Sequence, residues 1–381
     1  MIYCPDYFTV WSETDLLRER DMKAAVCREF GQPLIIEEIT LAEPAEGEVR
    51  VDLKACSICH SDVSFADGIW GGKLPAVYGH EGAGIVTAIG EGVSDYAVGD
   101  HVIVTLIRYC GDCHFCEHDA QVLCEGQFNL YKNQPIKNES GEKLHQAMAT
   151  GAFAEAVVVH QNQLEKVPAD MPFDVASLLA CGVITGYGAV ARASDLKEGQ
   201  HAIVIGCGGV GLNSVQGAAL KGAASVIAID IEADKRDLAK TFGATHAIDP
   251  RDEDAVKQVM DITGRRGADF VYVTVGAKSA IDSAQSYISK NGTIVIVGMP
   301  SNDTRGEYDP ATFAAWSQKI IGTKMGNSVI SKDIPELLAL YEKGEYKLDE
   351  LISKRFTLEQ VNEAMDEVRA GKAIKNVIMF D

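Results

Sequence analysis

Cys110, Cys113, Cys116 and Cys124 stand in the spacing C-x2-C-x2-C-x7-C, the clearest chemical pattern in the chain. Four thiolates so close together can fill every position around one tetrahedral Zn²⁺, leaving none for a substrate, so the expected site is structural. A disulfide pair or an iron–sulfur cluster uses the same residue type. The intervening Gly111, Asp112, His114 and Phe115 make a tight loop that suits a zinc knot. Three further residues carry ligand chemistry: Cys59 in Cys59-His60-Ser61-Asp62, His80 in Gly79-His80-Glu81, and Cys181 ahead of Gly182. One histidine and two cysteines would leave a fourth position open, as catalytic zinc requires. These three are far apart in the chain, and spacing alone does not join them.

A second chemistry lies in Gly206-Cys207-Gly208-Gly209-Val210-Gly211. This GxGxxG follows a predicted strand, His201–Ile205, and opens a predicted helix with Leu212, Val215 and Ala219 on one face. The next strand ends in Asp230, 19 residues after Gly211. Strand, glycine loop, helix, strand and acid in that order form the dinucleotide fingerprint. Gly206 allows the tight turn, Gly208 admits a pyrophosphate to the backbone, and Gly211 lets helix and strand approach. Asp230 would accept from the adenosine ribose and repel a 2′-phosphate, and Ile231 after it offers no arginine to counter that repulsion. NAD is therefore the expected cofactor. Lys235 lies within reach of the same ribose.

The elements that must position these residues fall into two styles. From Lys23 to about Val167, short strands (Val49–Leu53, Gly84–Ile89, His101–Val104, Ala154–Val159) are punctuated by glycine turns, which predicts an irregular, mostly β domain. From about Val183 the chain alternates apolar strands with amphipathic helices. His201–Ile205, Val226–Ile229, Phe270–Val275 and Thr293–Val297 read as strands of a doubly wound parallel sheet. Near the end, Thr357 and Gln360 make a capping box for a helix that carries Val361, Ala364, Met365 and Val368 and stops at Gly371. A last strand, Val377–Phe380, follows. The expected division is an N-terminal extension 1–21, a catalytic domain 22–182 with the cysteine lobe 110–124, a nucleotide-binding domain 183–325, and a return to the catalytic domain over 326–381.

Composition narrows the partners. The chain has 381 residues, enough for two cores, and its net charge of −20 argues against nucleic acid or an anionic membrane surface. No uninterrupted run of 18 apolar residues predicts a membrane span. The first 21 residues have no apolar core of the signal-peptide kind and read as an arm or a start-site extension ahead of Met22. Ten cysteines without such a signal point to a reducing compartment, and the expected localisation is cytoplasmic.

Gly79-His80-Glu81, the four-cysteine lobe, the Thr185-Gly186-Tyr187-Gly188 turn and the GxGxxG together resemble the zinc-dependent medium-chain alcohol dehydrogenases, from about Met22 to Asp381. The resemblance implies a GroES-like catalytic domain with a Rossmann domain, and two Zn²⁺ per chain. Cys59, His80 and Cys181 would hold the catalytic ion, Glu81 would sit behind it, and Asp62 would orient His80. Alcohols would be oxidised to aldehydes or ketones, reversibly, by hydride transfer from a zinc-bound alkoxide to nicotinamide. Ser61 would take the proton, while Ser64 replaces the histidine that ends the relay in many relatives. His60, Lys375, Thr185, Gly209, Val210, Val275 and Val297 would complete the NAD site, and Trp70, Leu106 and Met299 the substrate pocket. A small alcohol or aldehyde would be the partner, with a homodimer or homotetramer the expected assembly. Two alternatives stay open: a dehydrogenase of formaldehyde or a thiol adduct, and a non-catalytic binding protein on the same fold.

Overall fold

The computed structural model describes residues 22–381, so the expected extension 1–21 lies outside the described residues. Two structural regions share one long helix. In the first, five strands close a small barrel: Met22–Cys27, Ile35–Leu41, Ile136–Asn138, Lys143–Gln146 and Ala76–Val77. Beside it lies a seven-stranded sheet centred on Glu48–Ser57. Glu81–Ile89 pairs along one edge of that central strand. Its other edge is shared. Ala156–His160 takes the first half, and the C-terminal strand Lys375–Met379 takes the second, beside Ile352–Phe356.

This register gathers chemistry at one end of the sheet. Ser57 pairs with Glu81, so Cys59, two residues beyond Ser57, meets His80, one residue before Glu81. Thr105 pairs with Glu81 from the far side, which brings Leu106 to the same end. Val377 pairs antiparallel with Ser57, and that places Lys375 across from Cys59. Residues distant in sequence become neighbours because antiparallel strands align specific pairs.

The second region is a six-stranded, fully parallel sheet. Its order is His246–Ile248, Ser225–Ile229, His201–Ile205, Ala268–Val273, Ile288–Ile296, Lys319–Gly322. Counted along the chain this is 3-2-1-4-5-6, the doubly wound nucleotide-binding order, with its switch point beside His201–Ile205. The middles of its inner strands are apolar on both faces because both faces are covered. Ala202 and Val204 belong to the core on one side, Ile203 and Ile205 to the core on the other.

The shared helix runs from Phe173 to Ala191. It is long and apolar enough to cross a membrane, yet nearly all of it is buried inside this fold. Its middle turn, Leu179–Val183, is wound as a π-helix, and Cys181 sits there. The Thr185–Gly188 segment, expected as a turn, is helical instead, within Ile184–Ala191. Its glycines serve close packing: a Cβ on Gly186 would lie 2.2 Å from the carbonyl oxygen of Val210, and one on Gly188 2.6 Å from that of Gly326. The helix that carries Cys181 is thereby docked on the helix Gly209–Leu220 that follows the glycine loop. In that second helix Leu212 and Val215 are buried as expected, but the buried alanine is Ala218, and Ala219 is exposed. The helix packs on two sides, so its buried stripe is wider than a single face. The capping box of Thr357 and Gln360 forms, and Val361, Ala364 and Met365 are buried beyond it.

Candidate active site

Asp62 organises the first cluster. It is fully buried in the helix His60–Ala66, for which Cys59 is the N-cap residue. One carboxylate oxygen accepts from the backbone N–H of Cys59 at 2.9 Å. The other accepts from the N–H of Gly79 at 3.0 Å and lies 3.1 Å from His80 Nδ1. One acid thus fixes both chain segments and orients the imidazole. Gly79 has φ +86°, and a Cβ there would lie 2.5 Å from the backbone nitrogen of Phe153, so no other residue makes this bend.

With Nδ1 engaged, His80 Nε2 is buried and has no hydrogen-bond partner among the described residues. Around it, ligand atoms of Cys59, His80, Glu81 and Cys181 lie within 4.8 Å of one another. A buried nitrogen without a partner is costly unless something binds it. Two sulfurs and an imidazole are the donors Zn²⁺ prefers, so the residues fit that ion. Hydrogen bonding with Cys181, helped by Lys375 and His80, holds the Cys59 thiol well below the ordinary cysteine value, against the effect of burial. The same interaction, with burial, pushes Cys181 up. Ser61 Oγ lies 3.3 Å from Cys59 Sγ. Ser64 is buried. Glu81 is fully buried, and both its oxygens receive Lys375 Nζ, at 2.5 and 2.6 Å. Burial raises the Glu81 carboxyl, while Lys375 draws it back.

The four-cysteine lobe is built differently. Its ligand atoms also lie within 4.8 Å of one another, but its residues come from one loop and stand nearer solvent. Sulfur separations of 3.5 Å (Cys113 to Cys116, Cys124 to Cys110) and 3.9 Å (Cys110 to Cys116) are far too long for disulfides. They match the edges, about 3.8 Å, of a tetrahedron whose corners lie about 2.3 Å from a central zinc. Backbone N–H groups of Cys110 and Gly126 both donate to Cys124 Sγ, each at 3.2 Å. Backbone hydrogen bonds from the Glu125 and Cys116 positions bring Cys113 down to about 6.

At the nucleotide fold, three glycines show three reasons for lacking a side chain. Gly206 has φ +94°, and a Cβ on Gly211 would lie 1.8 Å from the Gly206 carbonyl oxygen. A Cβ on Gly208 would meet nothing within 4 Å, so the space it faces is open to a ligand. Val210 is the second residue of the helix behind this loop, which Gly209 opens, and Lys375 packs its Cε against Gly209. Val275 covers Gly206 from the loop after strand Ala268–Val273, which ends two residues earlier than expected. Val297 follows the next strand and is buried. Thr185 is buried with its Oγ1 3.6 Å from Met325 Sδ, and His60 is exposed at the start of its helix. These residues fit a dinucleotide at the carboxyl edge of the sheet.

Asp230 is partly buried and accepts from the N–H groups of Cys207 at 2.7 Å and Glu232 at 2.9 Å. Lys235 stands on the following helix, Ala233–Thr241, with its Nζ beside Gly371. Position 231 offers no arginine, as expected, but the fold brings two arginines to the Asp230 turn. Arg236 Nη1 donates to the Asp230 carbonyl at 2.8 Å and Arg251 Nη2 to that of Ile231 at 2.5 Å. Arg251 comes from the neighbouring strand's loop, which proximity in sequence does not reveal.

For the expected pocket, Trp70 Nε1 donates to the Pro300 carbonyl at 3.0 Å, which ties the catalytic region to the nucleotide fold beside the exposed Met299. Phe65 meets the indole edge-on at 5.0 Å. Leu106 is partly buried and follows Thr105, the strand partner of Glu81. Met325, whose sulfur lies 3.7 Å from Cys181 Sγ, and Pro300 were not visible as site residues in the sequence, since neither has a ligand-type or motif signal.

The chain matches the alcohol dehydrogenase GroES-like domain family over residues 45–169 and the zinc-binding dehydrogenase family over residues 209–343. An NDMA-dependent alcohol dehydrogenase of Amycolatopsis methanolica is 38% identical, over 94% of this chain and 98% of that protein. The crystal structure of an alcohol dehydrogenase zinc-binding domain protein from Burkholderia ambifaria superimposes with a TM-score of 0.90 at 33% identity, covering 94% of this chain and 99% of that one. Benzyl alcohol dehydrogenase from Acinetobacter calcoaceticus superimposes with a TM-score of 0.88 at 30% identity, with the same coverage. The chain belongs to the zinc-dependent medium-chain alcohol dehydrogenases, a family of oxidoreductases built from a GroES-like and a Rossmann-type domain.

Proposed function

We propose that this chain is an NAD-dependent alcohol dehydrogenase that interconverts small, largely apolar alcohols and their aldehydes or ketones. The observation that carries the reading is the buried, unpartnered His80 Nε2 amid the ligand atoms of Cys59, Cys181 and Glu81. Zinc on Cys59, His80 and Cys181 would supply the Lewis acid that acidifies an alcohol, and nicotinamide the hydride acceptor. The protein's part is to position and to move a proton. Asp62 keeps the proton of His80 on Nδ1, so that Nε2 presents its lone pair. Ser61 Oγ, beside Cys59, would relay the hydroxyl proton of the alcohol, taking it while giving its own to the nicotinamide ribose hydroxyl and from there to water. Buried Ser64 is no route onward to solvent. Lys375 neutralises Glu81 and keeps a second full negative charge away from the two thiolates. Trp70, Leu106 and Met299 line the approach and favour apolar substrates, aromatic ones included, as the benzyl alcohol dehydrogenase neighbour suggests.

The thiol-adduct alternative has little support. Arg108 does stack over Phe128, at 5.7 Å from the ring centre. It is buried, however, and donates to Gln163, Gln146 and the Ala149 carbonyl, which leaves no exposed cation for an adduct's carboxylate. The name of the Amycolatopsis methanolica relative, an NDMA-dependent enzyme, favours a second reading in which NDMA serves as acceptor. Assays of primary and secondary alcohols with NAD, with NDMA and with added glutathione separate these readings. Alcohol-dependent NADH formation is the expected result. Turnover with NDMA alone would favour the second reading, and strict dependence on glutathione the thiol-adduct one.

A further inference from the structure

Strands Ser225–Ile229 and His246–Ile248 run parallel with Ile229 opposite Ile248, so Asp230 and Asp249 emerge side by side at the sheet edge. Asp249 holds two guanidinium groups. Its Oδ2 accepts from Arg251 Nη2 at 2.6 Å and its Oδ1 from Arg251 Nε at 2.9 Å, and Oδ2 forms an ion pair with Arg236 Nη1 at 3.0 Å. The same two arginines cap the carbonyls of Asp230 and Ile231. The turn that carries Asp230 is therefore stapled from behind by two cations, each committed to one carboxylate. Arg251 is 64% exposed and Arg236 19%, so solvent and small ligands reach the first. Glu232 and Asp252 stand near Arg251 without holding it.

We propose that Asp249 is a cofactor-specificity residue: it keeps Arg236 and Arg251 on the backbone of the Asp230 turn and withholds both from the 2′-phosphate of NADP. Guanidinium groups beside the second strand are what a 2′-phosphate needs, and this chain has two of them. Discrimination then rests on a pair of carboxylates, Asp230 facing the ribose and Asp249 occupying the cations behind it. The inference rests on the dinucleotide reading of the glycine loop.

The test measures binding of adenine-end fragments to the purified, zinc-loaded enzyme by calorimetry, which needs no turnover. Wild type is expected to prefer 5′-AMP over 2′,5′-ADP. In Asp249→Asn the affinity ratio should move toward 2′,5′-ADP by about tenfold, the scale of one charge-assisted phosphate contact. Adding Arg236→Met and Arg251→Met to that variant should abolish the gain. Asp252→Asn, which removes the same charge without releasing an arginine, should leave the ratio near the wild-type value. An equal weakening of both fragments in Asp249→Asn, or an equal gain in Asp252→Asn, would overturn the proposal. Should Asp249→Asn fail to fold, Arg251→Met alone decides: an unchanged ratio is expected, and a loss of 2′,5′-ADP affinity overturns it. A wild-type enzyme that binds neither fragment would instead defeat the dinucleotide reading itself, and this inference with it.

Discussion

Among the described residues the molecule holds two sulfur-rich clusters of opposite construction, each with its ligand atoms within 4.8 Å of one another. The lobe of Cys110, Cys113, Cys116 and Cys124 is one loop folded on itself, near the surface, with four like donors and no vacant position. The cluster of Cys59, His80 and Cys181 is drawn from a helix N-terminus, a strand-entry bend and a π-turn, and it lies deep in the protein. A local loop needs only its own turns to meet a metal. A dispersed site must be held by the whole fold, and Asp62 at its centre bonds both of the segments that supply Cys59 and His80. On the proposed function, the difference assigns bracing to the self-sufficient cluster and exchange to the cluster with an orphaned nitrogen.

The sharpest way to break this contrast is a pair of substitutions. His80→Ala should lower alcohol oxidation on the order of a thousandfold or more, by loss of several kcal/mol of transition-state stabilisation. Cys113→Ser should instead lower thermal stability while the folded fraction keeps its turnover. Metal analysis should find one zinc per chain in each variant, against two in the wild type. Equal activity losses would erase the distinction between brace and centre.

Next in size is the buried pair of Lys375 and Glu81. Lys375→Met should destabilise the metal-free enzyme by about 3 kcal/mol, because it leaves a buried carboxylate unpaired. The penalty should shrink with zinc bound, since the cation then faces that carboxylate. Urea unfolding with and without zinc measures both, and identical penalties would count against Glu81 lying in the ion's field. Asp62→Asn comes third. It keeps the shape but weakens the orientation of His80, and catalytic-zinc affinity should fall by about ten- to a hundredfold. The lobe should keep its ion, as competition with a chelator would show. Smallest is Trp70→Phe, which retains the ring on Phe65 and loses the bond to Pro300, worth about 1 kcal/mol. A few-fold rise in KM for alcohols, with a melting temperature lowered by no more than about 2 °C, is the expected signature.

Local patterns carried far in this chain. The four-cysteine spacing, the strand–glycine loop–helix and the capping box at Thr357 each describe a few consecutive residues whose physics is short-ranged, and each forms where expected. Reading failed where a residue type has two uses. Gly186 and Gly188 looked like turn glycines, but the structure uses the first to let two helices touch and the second to admit the Gly326 backbone. Arg251 was invisible as a neighbour of Asp230 because adjacency across parallel strands follows from sheet order, not from chain distance.

By itself, then, the sequence determined the donor types, the cofactor fingerprint, the alternation of apolar strands that makes a doubly wound sheet, and through motif resemblance the family. Tertiary structure alone decided which ligands meet. Pairing Ser57 with Glu81 set Cys59 against His80, the return strand delivered Lys375 to Glu81, and the π-turn turned Cys181 into the same space. The physical reason is that each of these contacts depends on a strand register or a helix docking, and both are chosen by the packing of entire cores rather than by any short stretch of chain.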